Sequence, residues 1–366
     1  MTTLELDSPL AGLSGDAYRT AAREWLARNA PQQFLADRAG YTAPTVPELK
    51  RWEAALYRGG LAGIAWPSSY GGHGRTLAEH LIGNQEIGRL ALPESVNSIG
   101  KELAGEAGSD LAGLCTRATP DGDGWRIDGQ KIWTSGAMNA QRCLLLARTG
   151  PVSDRHRGLA LFAVRMDSPG LRVRPLKQAN GKEGFCEVFF DGVYVAPEDA
   201  LGKPDEGWAA AIRVLSIERA TNRMYRAWRF ENELRHLIAA AKCDTRLAAL
   251  LDEADYRQRI AATFVDIEVV KGYVEPAVAA LVAGDSIGAR GSLMKLHWSE
   301  AHQRFAALAM ELLAQASPDA PPTVRNAQRH FRDIYLQSRA ETIYAGTTEI
   351  QLGIIADRIL ELPRGR

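Results

Sequence analysis

The sequence predicts a multidomain α+β protein with an N-terminal helical domain, a central antiparallel β-barrel or β-sandwich domain and a C-terminal four-helix bundle. Apolar residues recur at helical spacing between residues 8 and 100, short turn-separated runs of strand length follow, and helical spacing returns after Gly202. A chain of 366 residues is long enough for two or three domains. We place their boundaries at 1–104, 105–203 and 204–366.

The N-terminal domain is predicted to be helical because its apolar residues share helix faces. Tyr18 and Trp25 lie on one such face, and later stretches repeat the pattern around Trp52 and Leu81. A loop at 67–74, rich in glycine, breaks the pattern. Because no Lys-Ser/Thr pair follows these glycines, the loop is not a nucleotide phosphate loop.

The central region carries apolar or alternating runs of strand length, separated by turns. Glycine-containing turns at 121–124 and 128–129 break the stretch before Trp133. The runs expected to form strands are 143–147, 159–164, 171–173 and 185–195. Short strands joined by tight turns predict an antiparallel domain of barrel or sandwich type.

The C-terminal region returns to helical spacing. An apolar stripe that requires partner helices repeats at intervals of three and four residues: Trp298, Ala301, Phe305, Leu308 and Leu312. The predicted helical stretches are about 206–241, 246–283, 288–316 and 322–344. Together they predict an antiparallel four-helix bundle.

Composition and charge exclude several classes of protein. Lys plus Arg and Asp plus Glu each total 44, and no dense basic patch suited to nucleic acid occurs. No apolar run is long enough to span a membrane, and the N-terminus lacks the features of a secretion signal, so we expect a cytoplasmic protein. The 4 cysteines form no CxxC pair, so no disulfide scaffold, zinc site or other metal site is expected.

Two short motifs of the β domain carry groups suited to ligand binding. Gly108 and Ser109 lie in a run of small residues that lets backbone N–H groups approach a ligand, although the pattern alone favours an ordinary turn. Trp133, Thr134 and Ser135 lie at a predicted strand end. There the pattern alone favours a core tryptophan followed by turn hydroxyls.

Two further candidates lie in the C-terminal region. Thr348 and Gln351 have the spacing of a capping box, so a helix beginning there would present its positive end to a phosphate, although most capped helices bind nothing. Glu218 falls on the apolar side of a predicted helix. Its carboxylate reaches solvent, pairs with Arg219 or Arg223, or acts as a general base.

Taken together and in this order, these segments resemble the acyl-CoA dehydrogenase family. The residues that carry the resemblance are 107–114, 128–135, 187–193, Glu218-Arg219 and 343–351. The resemblance covers nearly the whole chain and implies the same layout of helices, β domain and helical bundle. It also implies a bound FAD and oxidation of an acyl-CoA thioester to the trans-2-enoyl-CoA.

The resemblance implies roles for individual residues. Cofactor binding is expected of Gly108, Ser109, Trp133, Thr134, Ser135, Thr347 and Glu349, with the last two near the FAD pyrophosphate. Substrate binding is expected of Ser109, Arg219 and Tyr344. Electron-transfer flavoprotein is the expected electron acceptor, and a homo- or hetero-oligomer, as dimer or tetramer, is the expected assembly.

The position of the catalytic base distinguishes branches of the family. Most members carry it as the glutamate of a Tyr-Glu-Gly loop, where this chain has Ala345 after Tyr344. The isovaleryl and long-chain branches carry the base in a Glu-Arg pair on a bundle helix, which matches Glu218 and Arg219 here. By this resemblance Glu218 is the base, and Ala345 contributes its backbone N–H to the thioester oxygen.

The chain departs from the family pattern near residues 100–105. A segment of roughly 35 residues with the first β-strand and its Ser/Thr-Glu-Pro ending is absent there, which indicates an internal deletion that shortens the N-terminal domain. The segments that hold the adenosine half of FAD across a dimer are also absent. A second hypothesis is therefore a flavin-poor, non-catalytic partner subunit of a heteromeric acyl-CoA dehydrogenase. A flavin oxidase or monooxygenase ranks third.

Overall fold

The computed structural model describes residues 8–35, 41–90, 92, 113–212, 225–283, 285 and 287–363. The chain divides into two compact units. The helical unit comprises Met1–Ser95 and Ala220–Arg366, and the β unit comprises Val96–Arg219. The three domain boundaries given above stay a prediction.

Three N-terminal helices occur in the described part of the helical unit before residue 95: α1 (Gly15–Asn29), α2 (Val46–Arg58) and α3 (Leu77–Gly88). The predicted face of α1 is buried at Tyr18, and Trp25 stacks on Trp52 of α2 with 6.0 Å between ring centroids. A capping box begins α3, because Thr76 and Glu79 bond each other's backbone N–H groups.

In the C-terminal part of the helical unit, the residues that the structure describes form six helices. They are α4 (Arg226–Ala241), α5 (Thr245–Asp252), α6 (Ala254–Val282), α7 (Arg290–Leu313), α8 (Pro322–Glu341) and α9 (Thr348–Arg358). The predicted stripe of α7 is confirmed, since its members from Trp298 to Leu312 are at most 5% exposed. They pack in one core with residues of α4, α6 and α8.

Two predicted helical stretches differ from the structure. The stretch 246–283 is two helices, because Asp244 caps α5 and Glu253 adopts an extended backbone with ψ 141° between α5 and α6. The stretch 322–344 ends at Glu341, and the residues after it form a loop with left-handed backbone at Ala345 and Gly346. Of the stretch 206–241, the described residues 207–212 and 226–241 are helical.

The described residues of the β unit form one sheet of seven strands. They are β1 (Arg117–Asp121), β2 (Gly124–Ser135), β3 (Arg142–Arg148), β4 (Leu159–Arg165), β5 (Leu171–Leu176), β6 (Phe185–Val195) and β7 (Ala200–Leu201). Their order is β5-β6-β2-β1-β3-β4-β7, with all pairs antiparallel except β1 with β3.

The sheet is folded as a sandwich. Over the described residues it is open, with β5 and β7 at its edges, so the barrel alternative is wrong. Residues of β2 and β6 share one core with residues of β3 and β4, and Trp125 meets Phe162 edge-on with 5.6 Å between centroids. The ladder that positions the candidate site is β2 with β6, since it carries Trp133 near its end.

Candidate active site

Trp133 lies on a strained backbone near the end of β2. The register between β2 and β6 shifts between Lys131 and Thr134, and within this bulge Trp133 has a φ of 63°. Its side chain is 60% exposed and touches the ring of Phe185 edge-on at 6.1 Å. The core tryptophan that the pattern alone favoured is therefore wrong. A left-handed aromatic residue costs about 1–3 kcal/mol and tends to occur at functional sites.

Thr134 carries a buried polar atom next to this exposed indole. Its Oγ1 is buried and lacks a hydrogen-bond partner among the described residues. Such a hydroxyl costs about 1–3 kcal/mol of desolvation that no bond offsets. Ser135, paired in register with Phe185, lies immediately beyond it. An exposed aromatic face beside an unsatisfied hydroxyl fits a planar, hydrogen-bonding ring such as the flavin of FAD.

The loop between α8 and α9, which we call the 342–347 loop, holds the second predicted group. Ala345 has a φ of 55° and Gly346 a φ of 95°. The side-chain amide of Gln351 donates to the carbonyl oxygen of Ala345 at 2.9 Å. The Ala345 N–H has no hydrogen-bond partner among the residues that the structure describes. It is therefore free to donate to a ligand oxygen.

The cap of α9 differs from the prediction by one residue. Thr347, with ψ 164°, is the N-cap, and its Oγ1 accepts from Ile350 N–H at 3.3 Å. Thr348 is already the first helical residue, so the predicted Thr348–Gln351 box does not form. Gln351 instead turns back to the loop carbonyl described above. The cap follows the extended backbone conformation, which the spacing alone does not reveal.

Glu349 lies in the first turn of α9. A hydrogen bond from the Thr347 hydroxyl lowers the pKa of this carboxyl, and so does its position at the helix N-terminus. An ionised carboxylate repels a phosphate. If Glu349 meets the FAD pyrophosphate region as predicted, its partner there is a hydroxyl or an N–H group.

Tyr344 is held by an arginine that the sequence analysis missed. Arg226, at the start of α4, donates from Nη1 to the Tyr344 hydroxyl at 3.2 Å. The guanidinium lies 4.3 Å from the ring centroid of Trp298 on α7. The two bonded residues are 118 positions apart, so local sequence spacing gave no signal of the pair.

The remaining predicted site residues lie outside the described residues: Gly108, Ser109, Glu218 and Arg219. The deletion predicted near 100–105 lies outside them as well. The roles of these residues stay predictions. Trp133, Thr134 and Ser135 belong to the β unit, whereas Tyr344, Ala345, Thr347 and Glu349 belong to the helical unit.

Two other kinds of feature are absent from the described residues. In that part of the chain, no group of three His, Cys, Asp or Glu side chains is arranged to hold a metal ion. Its helices include none with the length and apolar character that crossing a membrane requires.

Sequence relatives match most of the chain. Acyl-CoA dehydrogenase IpdE1 of Mycobacterium tuberculosis is 31% identical over 388 residues, which cover 95% of this chain and 98% of the relative. The human mitochondrial short-chain specific acyl-CoA dehydrogenase is 25% identical over 291 residues, covering 75% of this chain and 63% of the relative.

Solved structures share the fold. The structure titled "Tcur3481-Tcur3483 steroid ACAD" has a TM-score of 0.78 at 23% identity and covers 99% of this chain and 100% of its own. The ChsE4-ChsE5 complex from Mycobacterium tuberculosis has a TM-score of 0.75 at 24% identity, covering 95% of this chain and 97% of its own.

Family models match most of the chain. The acyl-CoA dehydrogenase N-terminal domain matches residues 15–110, the middle domain residues 105–193 and the C-terminal domain residues 205–360. The chain therefore belongs to the acyl-CoA dehydrogenase family of flavoprotein oxidoreductases.

Proposed function

We propose that this chain oxidises an acyl-CoA thioester to the trans-2-enoyl-CoA with FAD as its cofactor. The observation that carries the proposal is the exposed Trp133, held on a left-handed backbone beside the buried, unsatisfied Thr134 hydroxyl. This pair offers a flat apolar face and a hydrogen-bonding group at one place. Membership of a flavoprotein family supports FAD as the ligand.

The residues present fit FAD. Trp133, Thr134 and Ser135 would hold the flavin ring, Gly108 and Ser109 would approach it through backbone groups, and Thr347 with Glu349 would meet the pyrophosphate region. When bound, FAD supplies the acceptor at N5 for the hydride that leaves the β-carbon of the substrate.

A base and an oxyanion donor complete the proposed chemistry. The α-proton of a thioester is too weakly acidic for water to remove at a useful rate, so a positioned carboxylate is required. Glu218 would take the pro-R α-proton. The Ala345 N–H would donate to the thioester oxygen as that oxygen gains enolate charge, and Ser109, Arg219 and Tyr344 would contact the substrate.

The assembly and the electron acceptor belong to the same proposal. We propose that the chain works in a dimer or tetramer, homomeric or heteromeric, and passes electrons to electron-transfer flavoprotein. Two similar solved structures are named for pairs of chains, which favours a second, related subunit.

The second candidate function is a flavin-poor partner subunit without its own catalysis. One observation favours it. The alignment with IpdE1 runs over 388 residues, more than the 366 of this chain, so the relative carries residues that this chain lacks. A missing first strand would remove backbone contacts to the flavin.

The visible spectrum of the purified full chain decides between these functions. With added FAD, and with its coexpressed subunit where one exists, the protein is expected to show a bound-flavin spectrum that an acyl-CoA bleaches under anaerobic conditions. A protein that stays colourless with excess FAD and with its partner would leave only the non-catalytic function.

A further inference from the structure

His302 on α7 is sealed inside the helical unit between two carboxylates. Its Nδ1 lies 2.7 Å from Oε2 of Glu341 on α8, and its Nε2 lies 2.8 Å from Oε2 of Glu233 on α4. The three side chains are at most 8% exposed. One imidazole thus joins three helices through two short hydrogen bonds.

The two carboxylates decide the protonation of the ring. Ionised carboxylates only accept hydrogen bonds, so both ring nitrogens must donate, as they do in the imidazolium. Burial lowers the pKa of His302, but the charges of Glu341 and Glu233 outweigh burial and raise it to about 10. Burial raises the pKa of Glu233, yet the His302 charge and hydrogen bond lower it to about 2.

The positive charges at and near His302 balance the two negative charges of Glu233 and Glu341. Arg229 of α4 adds a second positive charge, with its Nε 3.2 Å from Oε1 of Glu233. His330 of α8 is also near, and burial lowers its pKa to about 4, so it is neutral at pH 7. His236 of α4 packs against the ring of His330. We call Glu233, His302 and Glu341 the buried ion cluster, and Arg229, whose side chain is 31% exposed, lies at its edge.

Aromatic rings surround the imidazole of the buried ion cluster. Trp298 stacks on it with 5.6 Å between ring centroids, Phe305 lies on it at 6.1 Å, and Phe230 meets it edge-on at 5.1 Å. Such a setting excludes water and strengthens each electrostatic interaction. Removing one partner would leave a buried charge without compensation.

The buried ion cluster is connected to the 342–347 loop by two routes. Glu341 is the last residue of α8, and the N–H groups of Ile343 and Tyr344 both bond the carbonyl oxygen of Ala340 at 2.9 Å. The second route runs through Trp298, which stacks on His302 and carries the guanidinium of Arg226. That guanidinium bonds the hydroxyl of Tyr344, the neighbour of Ala345.

We propose that His302 is a positioning residue: by bonding Glu233 and Glu341 together, it holds the 342–347 loop in the conformation that presents the Ala345 N–H to the substrate. The part of this inference that concerns substrate rests on the proposed function. The part that concerns the loop does not. A left-handed alanine needs such support, because its backbone conformation is costly when unsupported.

Hydrogen exchange of the full chain tests the loop directly. Well below the unfolding temperature, His302→Gln is expected to raise amide exchange in the 342–347 loop about tenfold over wild type. The matched control is Leu312→Ala, which opens a cavity in the same core further along α7. At an equal loss of Tm, Leu312→Ala is expected to change exchange of the loop by less than about twofold.

Equal loop exchange in the two variants, or no change in His302→Gln, would overturn the proposal. If His302→Gln does not fold, Glu341→Gln carries the test, because a neutral amide bonds the ring more weakly than the carboxylate does. Exchange of the loop in Glu341→Gln should exceed that in Leu312→Ala, and equal exchange would overturn the proposal. In the FAD-loaded protein, His302→Gln should lower kcat for acyl-CoA oxidation about tenfold with KM unchanged. If no acyl-CoA reduces the flavin of the wild-type protein, the proposed function is wrong. The exchange result would still decide whether His302 positions the loop.

Discussion

The β unit and the helical unit hold their strained residues, Trp133 and Ala345, by different means. In the β unit, the pairs of β2 with β6 on both sides of the bulge fix Trp133 through the backbone. In the helical unit, Ala345 depends on side chains, since Gln351 bonds its carbonyl and Arg226 bonds Tyr344. A sheet can therefore hold a strained residue through regular backbone pairing, whereas a loop between helices needs hydrogen bonds from side chains.

The largest expected effect concerns the residue that acts as the catalytic base. Glu218→Gln should retain the fold and the flavin but slow reduction of the flavin by acyl-CoA about 10² to 10⁴-fold, because a general base is lost. Adding Ala345→Glu to that variant should restore part of the rate, since most family members carry the base in this loop. Stopped-flow absorbance measures both variants, and an unchanged rate in Glu218→Gln would assign its carboxylate to a structural pair.

The second prediction tests the role of the Thr134 hydroxyl in the β unit. Thr134→Val should lower FAD affinity about tenfold yet stabilise the FAD-free chain by about 1 kcal/mol, because the hydroxyl lost is buried and unsatisfied. Thr116→Val is the control in the same sheet, since the Thr116 hydroxyl donates to the Gln130 carbonyl at 2.9 Å. It should destabilise by about 1 kcal/mol. Flavin titration and urea unfolding measure the two effects, and equal stability changes would contradict the account.

The third prediction tests how the 342–347 loop of the helical unit depends on Gln351. Gln351→Ala should slow reduction of the flavin by a few fold, roughly the effect of about 1 kcal/mol, because the bond to the Ala345 carbonyl is lost. Gln328→Ala removes a bond of the same kind and length, 2.9 Å to the Leu313 carbonyl, away from the loop. That control should keep the wild-type rate. Matching losses of rate in both variants would show that the loop has no special dependence on Gln351.

The smallest expected effect is a pH dependence of amide exchange in the 342–347 loop of the helical unit. The pKa of His302 is raised to about 10 from an ordinary 6.5, so its stabilising contribution is complete below pH 6.5 and is lost as pH rises toward 10. Exchange in the 342–347 loop, corrected for the intrinsic rate, should therefore increase from pH 7 to 9. Exchange in β2 is the internal control and should not follow it. If exchange in β2 increased with pH as it does in the 342–347 loop, the proposed difference between the two units would be wrong.

The fold was largely predictable because it depends on local patterns. The stripe from Trp298 to Leu312 and the strand-length runs correctly predicted core residues of each unit. The break at Glu253 and the cap at Thr347 were missed, since each depends on a backbone conformation that the adjacent residue types also permit.

The candidate site was less predictable than the fold. The segments around Trp133 and Ala345 were found by resemblance, but the exposure of Trp133 contradicts its local pattern. The partners of His302 are 39 and 69 residues away, so spacing along the chain gave no sign of them. The available signal was His302 itself, a histidine within the apolar stripe of α7. Because an unpaired buried charge is costly, a histidine at such a position predicts buried partners.

The identity of the product tests the proposed function most directly. An acyl-CoA carrying deuterium at C2 and C3 is mixed anaerobically with the FAD-loaded protein, and the CoA ester is analysed by mass spectrometry after one turnover. The account predicts loss of one hydrogen isotope from C2 and one from C3, with the flavin reduced. An unchanged ester, or one that has gained oxygen when air is admitted, would contradict it.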